Sequence, residues 1–400
     1  MKKIERFFGY FTVFYLLNYL WIEKYIPLIG KLELVNIIVI AWFIASLINF
    51  QYLASKRLTI MNFIAFSSFL LIIFIGILSS FLFSYQGLKM VLTDMFLFSR
   101  FMIIFYAFSF LITEKSKNDM KEFFILNLKG LVSINFILLM VNIPLKLFPT
   151  LDVRFGIPSQ QLIYSHPTYL ASISFIGWAI ISGKNKRIYQ LMSLILMIST
   201  MRTKILLLVL VYFMYYFLIE RIKIPTIKNI IGLTGLGTLS YTSFGDIIYT
   251  KLLSSESSVR ATIMAKAASI AKDHFPLGSG FATFGSYTSF VHYSKLYNIY
   301  GLSNTYGFLT SSYQYGMDSY VSMLFAQFGF FGGFLYFVML LAIVLNLIKD
   351  VLPDKKRSIE LLALFLLISC FTESIISTGI GIAIFGFMAI NDSKIYDIKY

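Results

Sequence analysis

Twelve stretches of this 400-residue chain are continuous, apolar and close to the length that a helix needs to cross a bilayer. A helix rises 1.5 Å per residue, so about 20 residues span a hydrocarbon core about 30 Å thick. The runs lie near 7–22, 34–54, 59–83, 95–112, 123–148, 167–183, 188–201, 204–219, 229–248, 320–348, 359–375 and 376–390. Barrel strands would alternate in segments of about ten residues. These runs do not alternate, which predicts an all-α, polytopic integral membrane protein: about 12 transmembrane helices in a single membrane domain over 1–400. Composition agrees. Hydrophobic residues make up 58% and charged residues 13%, against roughly 25% charged in a soluble domain. That excludes a soluble globular enzyme and a disordered chain. The 42 Phe and 26 Tyr suit lipid-facing helices with aromatic belts.

The formal charge of +15 invites a nucleic-acid reading, but its distribution is a topology signal. With a cytoplasmic N-terminus, 20 of the 34 Lys and Arg fall in cytoplasmic segments and 12 outside, and every cytoplasmic segment carries at least two. This predicts cytoplasmic N- and C-termini by the positive-inside rule. The first run follows Lys2, Lys3 and Arg6 as a signal peptide would, yet ends in the bulky Trp21, Ile22 and Tyr25. It reads as an uncleaved span. The single cysteine, Cys370, excludes an internal disulfide and a Cys-based metal site.

One connection is long. Residues 249–319 form a 71-residue extracytoplasmic loop with eight Tyr and five Phe, well beyond the usual connection. Ser257 and Ser258 predict a cap for a helix to about His274, with Val259, Ile263, Ala267 and Ile270 as its apolar face. Pro276, Gly278 and Gly280 then break it. Its tyrosines, Tyr313 and Tyr315 among them, offer the flat face and hydroxyl that suit sugar rings, and equally suit a headgroup belt.

Three outward arginines come from separate loops: Arg154, Arg202 and Arg260. The positive-inside rule disfavours each of them. One reading is an anion site, because the guanidinium fork matches phosphate. The other is a lipid contact or an ion pair with Asp152 or Glu256. For Lys204 and Lys251 the bland reading is preferred. Asp318 opens the tenth run as a helix N-cap, a general base, or both. Arg100 and Lys129 sit within runs and can snorkel, and Glu373 near the end of the eleventh can line the same cavity. Three His without zinc spacing give no metal site, and Gly278-Ser-Gly280 lacks the strand and Lys-Ser/Thr of a P-loop.

In these loops the chain resembles the O-antigen ligase/polymerase-like membrane proteins, especially Wzy-type polymerases of polysaccharide repeat units. The resemblance rests on Arg154-Phe-Gly-Ile-Pro with Ser165-His-Pro-Thr-Tyr-Leu-Ala171, on Ser199-Thr-Met-Arg202, on Ser258-Val-Arg260 with the stretch from Asp273 to Phe284, and on Asp318 to Gly332. Together these span about 154–332; the earlier runs match only in hydropathy. The ligase branch commonly has His where this chain has Asp318, which favours a polymerase.

The resemblance implies an inverting, metal-independent glycosyltransferase in the bacterial cytoplasmic membrane that needs no cofactor. It would polymerise undecaprenyl-diphosphate-linked oligosaccharides, of O-antigen or capsule, on the outer face. Donor and acceptor would both be carried on undecaprenyl diphosphate in the bilayer. A chain-length regulator and a flippase of the same pathway are the protein partners it implies, and nucleic acid is not among them. Arg154, Arg202 and Arg260 would hold the diphosphate, Asp318 or, second, His166 would be the base, and Tyr313 and Tyr315 would meet the glycan. The rivals are a ligase of the same fold, separated by its acceptor, and a lipid-oligosaccharide flippase. A flippase predicts charges and broken helices at mid-membrane, and would leave the long loop unexplained.

Overall fold

The computed structural model describes residues 2–49, 59–154, 156–181, 185–215, 259–309, 316–349 and 353–391. The fold is mostly helical. Its helices are α1 (Lys2–Tyr25), α2 (Pro27–Lys31), α3 (Leu34–Ile48), α4 (Ile60–Phe83), α5 (Leu88–Leu111), α6 (Glu114–Leu145), α7 (Pro167–Ile180), α8 (Lys186–Ser199), α9 (Thr203–Tyr215), α10 (Val259–Asp273), α11 (Tyr287–Val291), α12 (Lys295–Ile299), α13 (Tyr320–Ile348), α14 (Pro353–Thr372) and α15 (Gly379–Ile390). A two-stranded hairpin, β1 (Val153–Arg154) with β2 (Ile157–Pro158), interrupts them.

Among the described residues, four helices are long and apolar enough to cross a membrane: α4, α5, α6 and α13. Three more, α3, α7 and α15, are apolar but shorter. The described helices therefore support a helical membrane protein without supporting a count of twelve spans. The ninth run, near 229–248, lies outside the described residues, as do Lys251, Glu256, Ser257, Ser258, Tyr313 and Tyr315. Helix α4 shows why the class is right. Phe63, Phe74, Phe81 and Leu82 are exposed on it, while Ala65, Ile72 and Ser79 face inward. An apolar outer face of that extent is tolerated in lipid and not in water.

The described part of the long loop is built into the bundle. Helix α10 follows the predicted pattern, with Ile263, Ala267 and Ile270 buried against Phe284, Phe290, Tyr297 and Phe308. Residues 275–285 then enter between α4, α5 and α13. There α13 is interrupted at Gly329, whose φ of 66° and ψ of −176° are non-helical, a conformation that glycine adopts without a Cβ penalty. The interruption frees carbonyls of the preceding turn, and the loop supplies donors. Ser279 N–H donates to Ala326 O (2.9 Å) and Gly280 N–H to Gln327 O (2.8 Å). Gln327 Nε2 returns a bond to Phe284 O (2.9 Å). Gly280 lies so close to α4 that a Cβ there would stand 2.5 Å from Ser80 Oγ. The Pro-Gly-Gly stretch is thus a backbone plug for a broken helix, which irregular backbone within a bundle requires.

Asp94, in α5, anchors the same loop. Its carboxylate accepts the Ala282 N–H at 2.6 Å and is 4% exposed. The fourth apolar run starts at 95, so Asp94 falls just outside it; within α5 it is a lone carboxylate among mostly apolar residues.

Candidate functional site

At one end of the bundle the helix termini and loops surround a cavity of about 2450 Å³. Arg154, His166, Arg202, Lys204, Arg260, Asp318 and Glu373 all line it, as do Asp152, Arg100, Tyr19 and Tyr169. Single small-ligand pockets run to roughly 1,000 Å³, so this cavity has room for more than one compact group. The three arginines, up to 106 residues apart in sequence (154 to 260), face one space.

Local bonds explain how Arg154 meets Arg202. The hairpin is stitched to the turn between α8 and α9: Gln160 N–H donates to Ser199 O (3.0 Å) and Ser159 Oγ to Thr200 O (2.7 Å). Asp152 lies between the two guanidinium groups. Its Oδ2 accepts from Arg154 Nε at 2.8 Å, and its Oδ1 is 3.5 Å from Arg202 Nη2. Burial alone would raise the Asp152 carboxyl; the Arg154 hydrogen bond and the Arg202 charge outweigh it and hold it below the ordinary aspartate value. The anticipated ion pair with Asp152 therefore exists, and it stands inside the cavity. Arg202 is 8% exposed, and its Nε and Nη2 make no hydrogen bond. Burial, then the neighbouring Arg154, lower it to about 10, so it stays charged at neutral pH. A buried guanidinium with open donors costs free energy unless an anion fills them.

Asp318 is brought in from the other side. Ser374 Oγ donates to Met317 O (2.9 Å), tying the start of α13 to the end of α14. Asp318 Oδ2 is 3.6 Å from Arg260 Nη2, and the Asp318 side chain is 42% exposed to the recess. Burial pushes its carboxyl up to about 6, although Arg260 and Lys204 pull the other way. One expectation needs correction. Asp318 is not the helix N-cap: Ser319 holds that position, and its Oγ accepts the Ser322 N–H at 3.3 Å. Serine caps as well as aspartate, so the carboxylate one residue earlier is left to the cavity.

His166 is an N-cap. Its Nδ1 accepts the Thr168 N–H (3.2 Å) at the start of α7. A neutral imidazole that accepts through Nδ1 carries its proton on Nε2. Burial and then Arg202 lower it to about 4, which keeps it neutral. His166 in this state donates and does not take a proton, which weighs against it as base.

Arg100 and Glu373, both placed within runs, also reach the site. Arg100 does not simply snorkel. It bonds Asn36 Oδ1 at 2.7 Å and the Ser377 carbonyl, joining α5 to α3 and to the short 3-10 turn Ile375–Ser377. Lys129 lies 5.4 Å from the Tyr189 ring centre and does not line the cavity. Glu373 lines the cavity and holds Lys204, a pair that the sequence reading set aside on the Lys204 side. No model of a known protein family matches the chain, and no curated protein matches it.

Proposed function

We propose that this chain is a membrane glycosyltransferase that polymerises undecaprenyl-diphosphate-linked oligosaccharide repeat units on the outer face of the bacterial cytoplasmic membrane. What carries the reading is the meeting of Arg154, Arg202, Arg260 and Asp318 in one cavity at the end of a lipid-type helical bundle. A lipid diphosphate needs that combination: several anion donors, an apolar surround for the tails and space for sugars. Twelve spans with cytoplasmic termini would put this cavity on the outer side.

In this scheme the acceptor sugar hydroxyl attacks the anomeric carbon of the donor. Asp318 takes the hydroxyl proton as the new glycosidic C–O bond forms, and the bond from that carbon to the diphosphate oxygen breaks. Undecaprenyl diphosphate leaves with the electron pair, and the carbon inverts. The arginines stabilise charge where it develops on the leaving oxygens. A carboxyl near 6 is ionised at neutral pH and still basic enough to help.

The test is the lipid-linked glycan of a strain lacking this protein. Single repeat units are expected, with the ladder restored by the wild-type chain. An unchanged ladder would end the polymerase reading.

A further inference from the structure

Lys204 is the second residue of α9, two residues after Arg202. Its Nζ is paired with the Glu373 carboxylate, is 3.5 Å from Ser369 Oγ, and stands 5.5 Å from the Phe365 ring centre. Phe365, Ser369 and Glu373 are four residues apart, so α14 and the residue after it present an aromatic face, a hydroxyl and a carboxylate in one stripe against the ammonium. The Lys204 side chain is 9% exposed and that of Glu373 is 20% exposed.

Stability alone does not account for such a pair. Desolvation offsets most of the attraction between buried charges, and an apolar pair of similar volume is often as stable. The surroundings make the position costlier still, because Arg202 and Arg260 both act on Lys204 as like charges. Asp318 also lies within its electrostatic reach, and His166 feels Lys204 together with Arg202 and Arg154. Lys204 lines the same cavity as both of its halves, the Arg154–Arg202 group and the Arg260–Asp318 pair. An anion that spans the two halves relieves the repulsion among all these cations.

We propose that Lys204 is a further anion-binding residue, with Glu373 as its positioning partner. Together they set a compact ammonium in the cavity that both arginine groups line, where a diphosphate would meet all of them. The inference rests on the anion-site reading given above. The roles differ by chemistry: the guanidinium forks orient phosphate oxygens, and the lysine supplies a point charge.

Binding of inorganic pyrophosphate to the detergent-purified full chain, by calorimetry, tests it, with thermal unfolding as the check on folding. Three proteins are compared, with Arg202→Ala as a control: wild type, Lys204→Met, and the double variant Lys204→Met with Glu373→Gln, which removes both charges and strands neither. The wild type is expected to bind. Both variants are expected to bind about 10- to 100-fold more weakly, the double variant with near-wild-type thermal stability. Wild-type affinity in either variant, alongside loss of binding in Arg202→Ala, overturns the role of Lys204 and leaves the arginine site standing. Unfolding of the double variant makes the pair structural and also overturns it. No binding by the wild type sinks the anion-site reading itself.

Discussion

The two ends of the cavity use the same residue types to opposite effect. On the hairpin side Asp152 is held by two arginines, one through a 2.8 Å hydrogen bond, and its carboxyl is kept low. On the α13 side Asp318 has a single arginine at 3.6 Å, and burial raises its carboxyl to about 6. How closely the cations approach a carboxylate, set against its desolvation, decides whether it is a fixed counter-ion or a group able to exchange a proton. Asp152 is the former, a brace for two guanidinium groups. Asp318 is the latter.

The strongest challenge to that contrast is Asp318→Asn. Because Ser319 caps α13, protein abundance should stay at the wild-type level. Polymer should fall to single repeat units, a loss of roughly 100- to 10,000-fold if a general base has gone. A full glycan ladder from this variant would remove Asp318 from the chemistry. Next in size are the arginines. Arg202→Ala should lower polymer formation by about 100- to 1,000-fold, and Arg260→Lys should do nearly as much harm as Arg260→Ala, since the charge stays while the fork is lost. Ladder assays at matched expression decide both, and a lysine that restores function at 260 would reduce that residue to a simple charge.

The pH dependence separates the two carboxyls without large losses. Asp318 must be ionised to accept a proton, so activity should decline as pH drops through about 6. Stability runs the other way for this group. A carboxyl raised in the folded protein destabilises most when ionised, so its penalty shrinks as pH falls from 7 toward the ordinary aspartate value of 3.8. Asp152, held low, contributes its full stability above 3.8 and loses it as pH falls from 3.8 through its own folded value. Unfolding temperature against pH for wild type and Asp318→Asn measures this: the two curves should converge on acidification. The smallest effect belongs to Ser319→Ala, which should cost about 1 kcal/mol of stability by removing the cap and leave the activity–pH profile in place. A shifted profile would mean that the cap and the carboxylate act together.

Much of this was legible in the residues. Unbroken apolar runs announced helices because a lipid-facing chain needs no polar face, and most described helices begin or end near the predicted limits. Arginines in charge-poor loops, read as outward from the distribution of Lys and Arg, pointed to a shared site, because that orientation carries a topological cost that needs a reason. What stayed hidden was pairing at a distance. Asp152 reads as a loop charge until the hairpin bonds to the 199–202 turn. Lys204 and Glu373 are 169 residues apart, and no local pattern joins them. The N-cap was misplaced by one residue because Asp318 and Ser319 are both good caps, and only backbone geometry chooses between them.

The plug at Gly329 has a consequence for how the protein is made. The donors at Ser279 and Gly280 leave the ribosome before the carbonyls at Ala326 and Gln327 exist. The loop therefore cannot make these two bonds until residues 326 and 327 have been added, and the broken helix lacks its donors until the loop is seated. Neither element is complete alone, so the places of Arg260 and Asp318, carried by the two halves of this joint, depend on the same pair of bonds. A chimera that exchanges the loop without residues 326–329 would be expected to fail at this joint, and protease-sensitive chains would reveal it.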